Sequence, residues 1–160
     1  MAEGYSPGTP KEQLKANNIL FSALFAGVVM FLIVAVVLIK FQGKFSDGDN
    51  FNKILLIVVL IIAAICLVSA YSIYKKRISD AANSILPLTE KLNNYRTILI
   101  IYLALCEGAA LFSIICLILT GNFWSIAVTA GMLIAMLLKR PTRQRLINDL
   151  QLDWQEQQEL

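Results

Sequence analysis

The chain has 160 residues, of which 58% are hydrophobic and 16% charged, with a net charge of +3. Soluble domains are about 45–50% apolar and about 25% charged. The balance here, with apolar residues gathered in blocks and a mean hydropathy of +0.67, points to an integral membrane protein and away from a globular enzyme. Histidine is absent, which excludes Ser-His-Asp and Cys-His catalysis within the chain and removes the commonest metal ligand and pH switch.

Residues 1–17 hold Gly4, Pro7, Gly8 and Pro10 without a hydrophobic period. They are expected to form a mobile cytoplasmic arm that turns helical near Lys11. A four-span transmembrane domain is then expected over 18–140. Its first span, about 18–39, is rich in Val, Ile, Leu and Phe. That span starts too late and runs too long for a signal-peptide core, and Lys40 and Lys44 can snorkel at its far end. The connection that follows contains Asp47-Gly48-Asp49-Asn50. It lacks the further ligands and the terminal Glu of a calcium loop, so Asp and Gly serving a tight turn is the simpler account.

The second span, about 54–74, has no glycine, and Tyr71 and Tyr74 lie at its interfacial end. Lys75-Lys76-Arg77 opens an amphipathic stretch to Arg96, broken at Pro87, and the run from Leu88 feeds into the third span, about 97–120. Gly121-Asn122 is a two-residue turn signal that makes spans three and four a tight antiparallel pair. The fourth span, about 123–138, opens with Phe123 and Trp124 at the interface, is short for a bilayer, and ends at Lys139-Arg140. Pro141 redirects the chain into a cytoplasmic amphipathic tail over 141–160, which places Ile147, Leu150 and Trp154 on one helical face. The tail is either an interfacial or bundle-docking helix or a frayed end.

Charge placement orients the chain. With four spans, the N-terminal arm, the 75–96 loop and the tail share one side and carry eleven Lys and Arg, against Lys40, Lys44 and Lys53 on the other. The positive-inside rule puts both termini in the cytoplasm.

Near the middle of the third span stands one ionisable residue, Glu107. Burying a carboxylate at that depth costs roughly 2.5–3.5 kcal/mol by the insertion value for Asp, so something must offset the charge or keep it protonated. No Lys or Arg lies inside any expected span. Within one chain the residue is expected to be neutral, hydrogen-bonded to a carbonyl, to Thr129 or to Ser69. Three roles stay open: a proton or cation site, a neutral tie between helices, and a contact with another subunit. Small residues recur near the same depth: Gly27, Ala63 and Ala64, Gly108, and Gly131 within Ala127-x-x-x-Gly131-x-x-x-Ala135. They are expected to form a helix-packing layer around Glu107, closed as a waist or open as a small cavity. Cys66, Cys106 and Cys116 fit no zinc spacing and read as small packing residues.

The run Ala104-Leu105-Cys106-Glu107-Gly108-Ala109-Ala110-Leu111-Phe112 resembles the second helix of the proteolipid c subunit of rotary ATP synthases, which carries an ion-binding carboxylate. By that resemblance Glu107 matches the ion-carrying position. Span two lacks that family's repeated glycines, and no Arg-Gln precedes Pro87. Tyr95-Arg96, the Ala-Leu-x-Glu-Gly run, Leu119-Thr120-Gly121-Asn122, Arg140-Pro141-Thr142 and the acidic amphipathic end are similar to a group of small four-helix bacterial inner-membrane proteins. That resemblance implies fold and location but no particular activity.

The expectation is an all-α, integral membrane four-helix bundle of two antiparallel hairpins in a bacterial inner membrane, with no catalytic residues, metal or cofactor. Its partners are the lipid bilayer and a second copy or another membrane protein, not nucleic acid. Its role is that of a non-enzymatic accessory or assembly component, with proton or sodium translocation through Glu107 as the alternative.

Overall fold

The computed structural model describes residues 9–43, 49–84 and 86–159. Among them every regular element is a helix: α1 Pro10–Gln42, α2 Asp49–Ala82, α3 Leu88–Thr120, α4 Trp124–Leu138, α5 Arg143–Leu150 and α6 Trp154–Glu159. Asp47 and Gly48 of the proposed turn lie outside the described residues.

Local chemistry accounts for the helix ends. Pro10 opens α1, where its missing N–H costs nothing, and the Thr9 N–H donates to the Glu12 carboxylate at 2.8 Å. Gly43 ends the helix with a φ of 78° that disfavours any side chain. Pro87 caps α3 from an extended conformation. Gly121 closes α3 in the left-handed region, and its N–H bonds the Leu117 carbonyl at 2.8 Å. The Asn122 side chain then accepts from the Trp124 N–H at 3.0 Å, starting α4.

Helices α1, α2 and α3, of 33, 34 and 33 residues, each extend about 50 Å at 1.5 Å per residue. All three are long and apolar enough to cross a membrane, which makes this a multi-pass membrane protein. The second and third helices reach beyond the expected spans: α2 continues through Lys75-Lys76-Arg77 to Ala82, and α3 starts at Leu88. Helix α4, at 15 residues, is about 22 Å long, shorter than a hydrocarbon core of about 30 Å.

Helix α3 is the hub. It packs against α1, α2 and α4, and α1 rests on α3 rather than on α2. Most of its buried residues belong to two core clusters. One, at the lysine- and arginine-rich end, gathers Phe21, Tyr74, Leu92, Tyr95 and Met136 with the tail residues Leu146 and Leu150. The other gathers Val28, Ala35, Ala63, Ala110, Ile114 and Met132. Two hydrogen bonds tie α3 to α4: the Ser113 hydroxyl donates to the Ser125 carbonyl at 2.8 Å, and the Tyr102 phenol to the Ala135 carbonyl at 3.1 Å.

The tail docks on the bundle. Leu146, Leu150 and Leu152 are buried in the first cluster and Ile147 packs against it. The expected single face with Trp154 does not form. Gln151 adopts a left-handed conformation that ends α5, the chain restarts as α6, and Trp154 stands 74% exposed.

Candidate functional site

Glu107 lies midway along α3, at the edge of the stripe that α3 turns away from the bundle. Ile100, Ala104, Gly108 and Ile115 on that stripe are exposed, and Glu107 itself is half-buried. Its helix neighbours Cys106, Ala109 and Ala110 point inward to the core. Glu107 therefore sits where the packed and outer faces of α3 meet. Among the described residues its carboxyl makes no hydrogen bond and no ion pair.

The tie to Thr129 or Ser69 does not form; the Thr129 hydroxyl instead donates to the Ser125 carbonyl of its own helix at 3.0 Å. The packing layer also differs from expectation. Gly27, Ala64, Gly108 and Gly131 are exposed, and a Cβ on any of the three glycines would meet nothing within 4 Å. Of the five residues expected there, Ala63 alone is buried. The small residues that do pack between helices include Ala35, Ala63, Ala109 and Ala110, together with Ala70 and, from the expected ridge on α4, Ala135. Depth is readable from position in an apolar run, but facing is not, so glycines at the right height still point outward.

A second constellation forms at the basic end, from residues far apart in the sequence. The Tyr74 phenol at the end of the apolar part of α2 donates to Asp149 Oδ2 of α5 at 2.5 Å. The Tyr74 ring meets Tyr102 of α3 edge-on, with centroids 5.4 Å apart. Lys139, just past α4, places its Nζ 4.0 Å from the Tyr74 ring centroid and 5.9 Å from that of Tyr71. Burial pushes the Lys139 ammonium down from its ordinary range; Asp149 draws it up, and Arg145 pushes it further down. Arg145 Nε lies 4.0 Å from Asp149 Oδ2. Sequence reasoning identified Tyr71 and Tyr74 as interfacial aromatics and Lys139 as a stop signal. The convergence of these residues with Tyr102, Arg145 and Asp149 carries no local signature.

Near this cluster Lys91 of α3 and Glu156 of α6 form an ion pair at 2.9 Å. Burial alone would push the Glu156 carboxyl up. The hydrogen bond and charge of Lys91, with the Asp153 N–H at 3.0 Å, outweigh that and hold it below the usual carboxylate range.

Among the described residues no group of three or more Cys, Asp and Glu side chains converges as a metal site. Comparison with known proteins finds no matching family model, no matching curated protein and no matching solved structure.

Proposed function

We propose that this chain is a non-enzymatic accessory or assembly component of a bacterial inner membrane, and that Glu107 is the point where it meets another membrane helix. In this reading α4 is a fourth span, consecutive spans run antiparallel, and both termini lie in the cytoplasm. Support for the orientation comes from the eleven Lys and Arg in the segments that then share one side, against three on the other.

The observation that carries the partner role is Glu107 itself. It is a carboxyl near the middle of a membrane-crossing helix, at the edge of an outward stripe, with no polar partner among the described residues. Exposure to lipid alone would leave a cost of roughly 2.5–3.5 kcal/mol. A neighbouring helix can supply either an acceptor for the neutral acid or a cation for its charge. The exposed Ala104-x-x-x-Gly108 edge beside it admits close backbone approach. The partner is a second copy or another membrane protein, distinguished by whether the purified chain by itself reproduces the shielding of Glu107.

The test is carbodiimide labelling of Glu107 in native membranes and in the purified chain. Labelling should be suppressed in native membranes, and in the purified chain too if the partner is a second copy, and Gly108→Leu should lift the suppression. Equally strong labelling of the wild type in both settings would overturn the partner role. An outward carboxyl in the Ala-Leu-x-Glu-Gly run also favours a second reading, in which Glu107 carries protons or sodium ions. Under that reading purified protein in vesicles conducts the ion and Glu107→Gln abolishes the flux.

A further inference from the structure

A lateral groove of about 700 Å³ lies between α2 and α4 toward the basic end. Its apolar walls are Leu67 and Val68 from α2 and Ile134 and Leu138 from α4, with Tyr102 behind them. Gly131 lines it too, and because a Cβ there would meet nothing within 4 Å, the absence of a side chain leaves the groove open. The volume is that of a small-molecule site, and it opens on the outer surface of helices that face the bilayer.

At its mouth the chemistry changes. Lys139 and Arg145 line the groove there, and a second cavity of about 290 Å³ continues past Tyr71 and Lys139 toward Lys75 and Asn148. Asp149 is the one acidic residue lining this second cavity. Its Oδ2 already accepts the Tyr74 phenol and lies 4.0 Å from Arg145. Lys139 rests on two tyrosine rings and makes no ion pair among the described residues. Three cations therefore face one carboxylate whose hydrogen bonding is already engaged. The mouth is electropositive, and it sits at the end of an apolar groove, where Lys139 follows the last apolar residues of α4.

We propose that this groove binds one anionic phospholipid, with its phosphate between Lys139 and Arg145 and an acyl chain lying along α4 over Gly131. Basic recesses between membrane helices at the cytoplasmic side recognise lipid headgroups by this combination of charge and apolar wall. A soluble anion would use the cations but not the groove, and a zwitterionic lipid would use the groove but gain little from the cations.

The experiment is native mass spectrometry of the full chain in detergent, titrated with phosphatidylglycerol, with phosphatidylcholine of identical chains, and with glycerol phosphate. Phosphatidylglycerol should be retained over phosphatidylcholine by roughly fivefold or more, the contribution of a single basic side chain near a membrane surface. The doubly substituted Lys139→Gln/Arg145→Gln chain should lose that preference. Gly131→Leu, which projects into open space rather than the core, should reduce phosphatidylglycerol retention with helicity unchanged. Equal retention of the two lipids by the wild type, undiminished retention in Gly131→Leu, or glycerol phosphate binding as tightly as the lipid would each overturn the proposal. If the double variant loses its helical signal, the wild-type lipid preference and Gly131→Leu decide the matter.

Discussion

The phenol of Tyr74, at the end of the apolar part of α2, donates a 2.5 Å hydrogen bond to Asp149 of the tail helix α5. That bond joins a membrane-crossing helix to a segment that follows the last apolar block. With the burial of Leu146 and Leu150, it makes the tail part of the bundle. Tyr74→Phe removes the donor and leaves the part-buried carboxylate short of a partner, a loss of about 1–3 kcal/mol. The tail should loosen first. Trypsin cleavage at Arg143 and Arg145 should speed up in this variant, while Asn148→Ala, an exposed change on the same helix, should leave it at the wild-type rate.

The two bonds between α3 and α4 should act independently. Ser113 and Tyr102 are about 16 Å apart along α3 at 1.5 Å per residue, beyond the range at which substitutions usually couple. Ser113→Ala and Tyr102→Phe should each cost about 0.6 kcal/mol, the average for interhelical hydrogen bonds in a membrane protein. Unfolding in mixed micelles should show the double variant losing the sum of the two.

Glycines with open surroundings and glycines with constrained backbone should respond in opposite ways. Gly27→Ala and Gly131→Ala add a Cβ to open space on a helix and should be neutral or stabilising by up to about 1 kcal/mol. Gly121→Ala forces a side chain onto a φ of 64° and should destabilise by about 1 kcal/mol or more. Thermal unfolding of the three variants in one detergent checks the ordering.

Acid should release α6 before the rest of the chain. The Glu156 carboxyl is held below its unfolded value by Lys91 and the Asp153 N–H, against the opposing effect of burial. A depressed carboxylate contributes stability that is present above the unfolded value of about 4.3. That stability is lost as pH falls through the lower folded value. The pair is partly shielded, with side chains 13% and 22% exposed, and its contribution should lie within about 1 kcal/mol. The protection factors of the α6 amides, taken relative to the intrinsic exchange rate at each pH, should fall on acidification below about pH 4. Lys91→Gln should move that fall to higher pH, because the lysine's share of the depression is then gone.

Helix ends were legible because their causes are local. Pro10, Pro87 and Gly121 each act on their own backbone, and they mark the start of α1, the start of α3 and the end of α3. The prominence of Glu107 was legible for the same reason: a single carboxyl in an apolar run is visible without any knowledge of the fold. Its surroundings were not. Lipid tails are as apolar as leucine, so the inner and outer faces of a membrane helix share one composition and no hydrophobic period separates them. Helix α3, with Leu99 and Cys106 buried and Ile100 and Ile115 exposed, illustrates this.

The sequence by itself determined that the chain is helical and apolar enough to enter a membrane, that Pro10, Pro87 and Gly121 mark helix ends, and where its cations and its lone mid-membrane carboxyl fall. Each of these follows from residue type and spacing along a single helix. The tertiary structure decided that Glu107 borders an outward face, that Gly27, Gly108 and Gly131 are open rather than packed, and that the tail folds back onto the bundle. It also decided that Lys139, Arg145 and Asp149 gather around Tyr74 at the head of an apolar groove. These outcomes depend on helix rotation and on contacts between residues far apart in the chain, 75 positions for Tyr74 and Asp149, which composition does not encode.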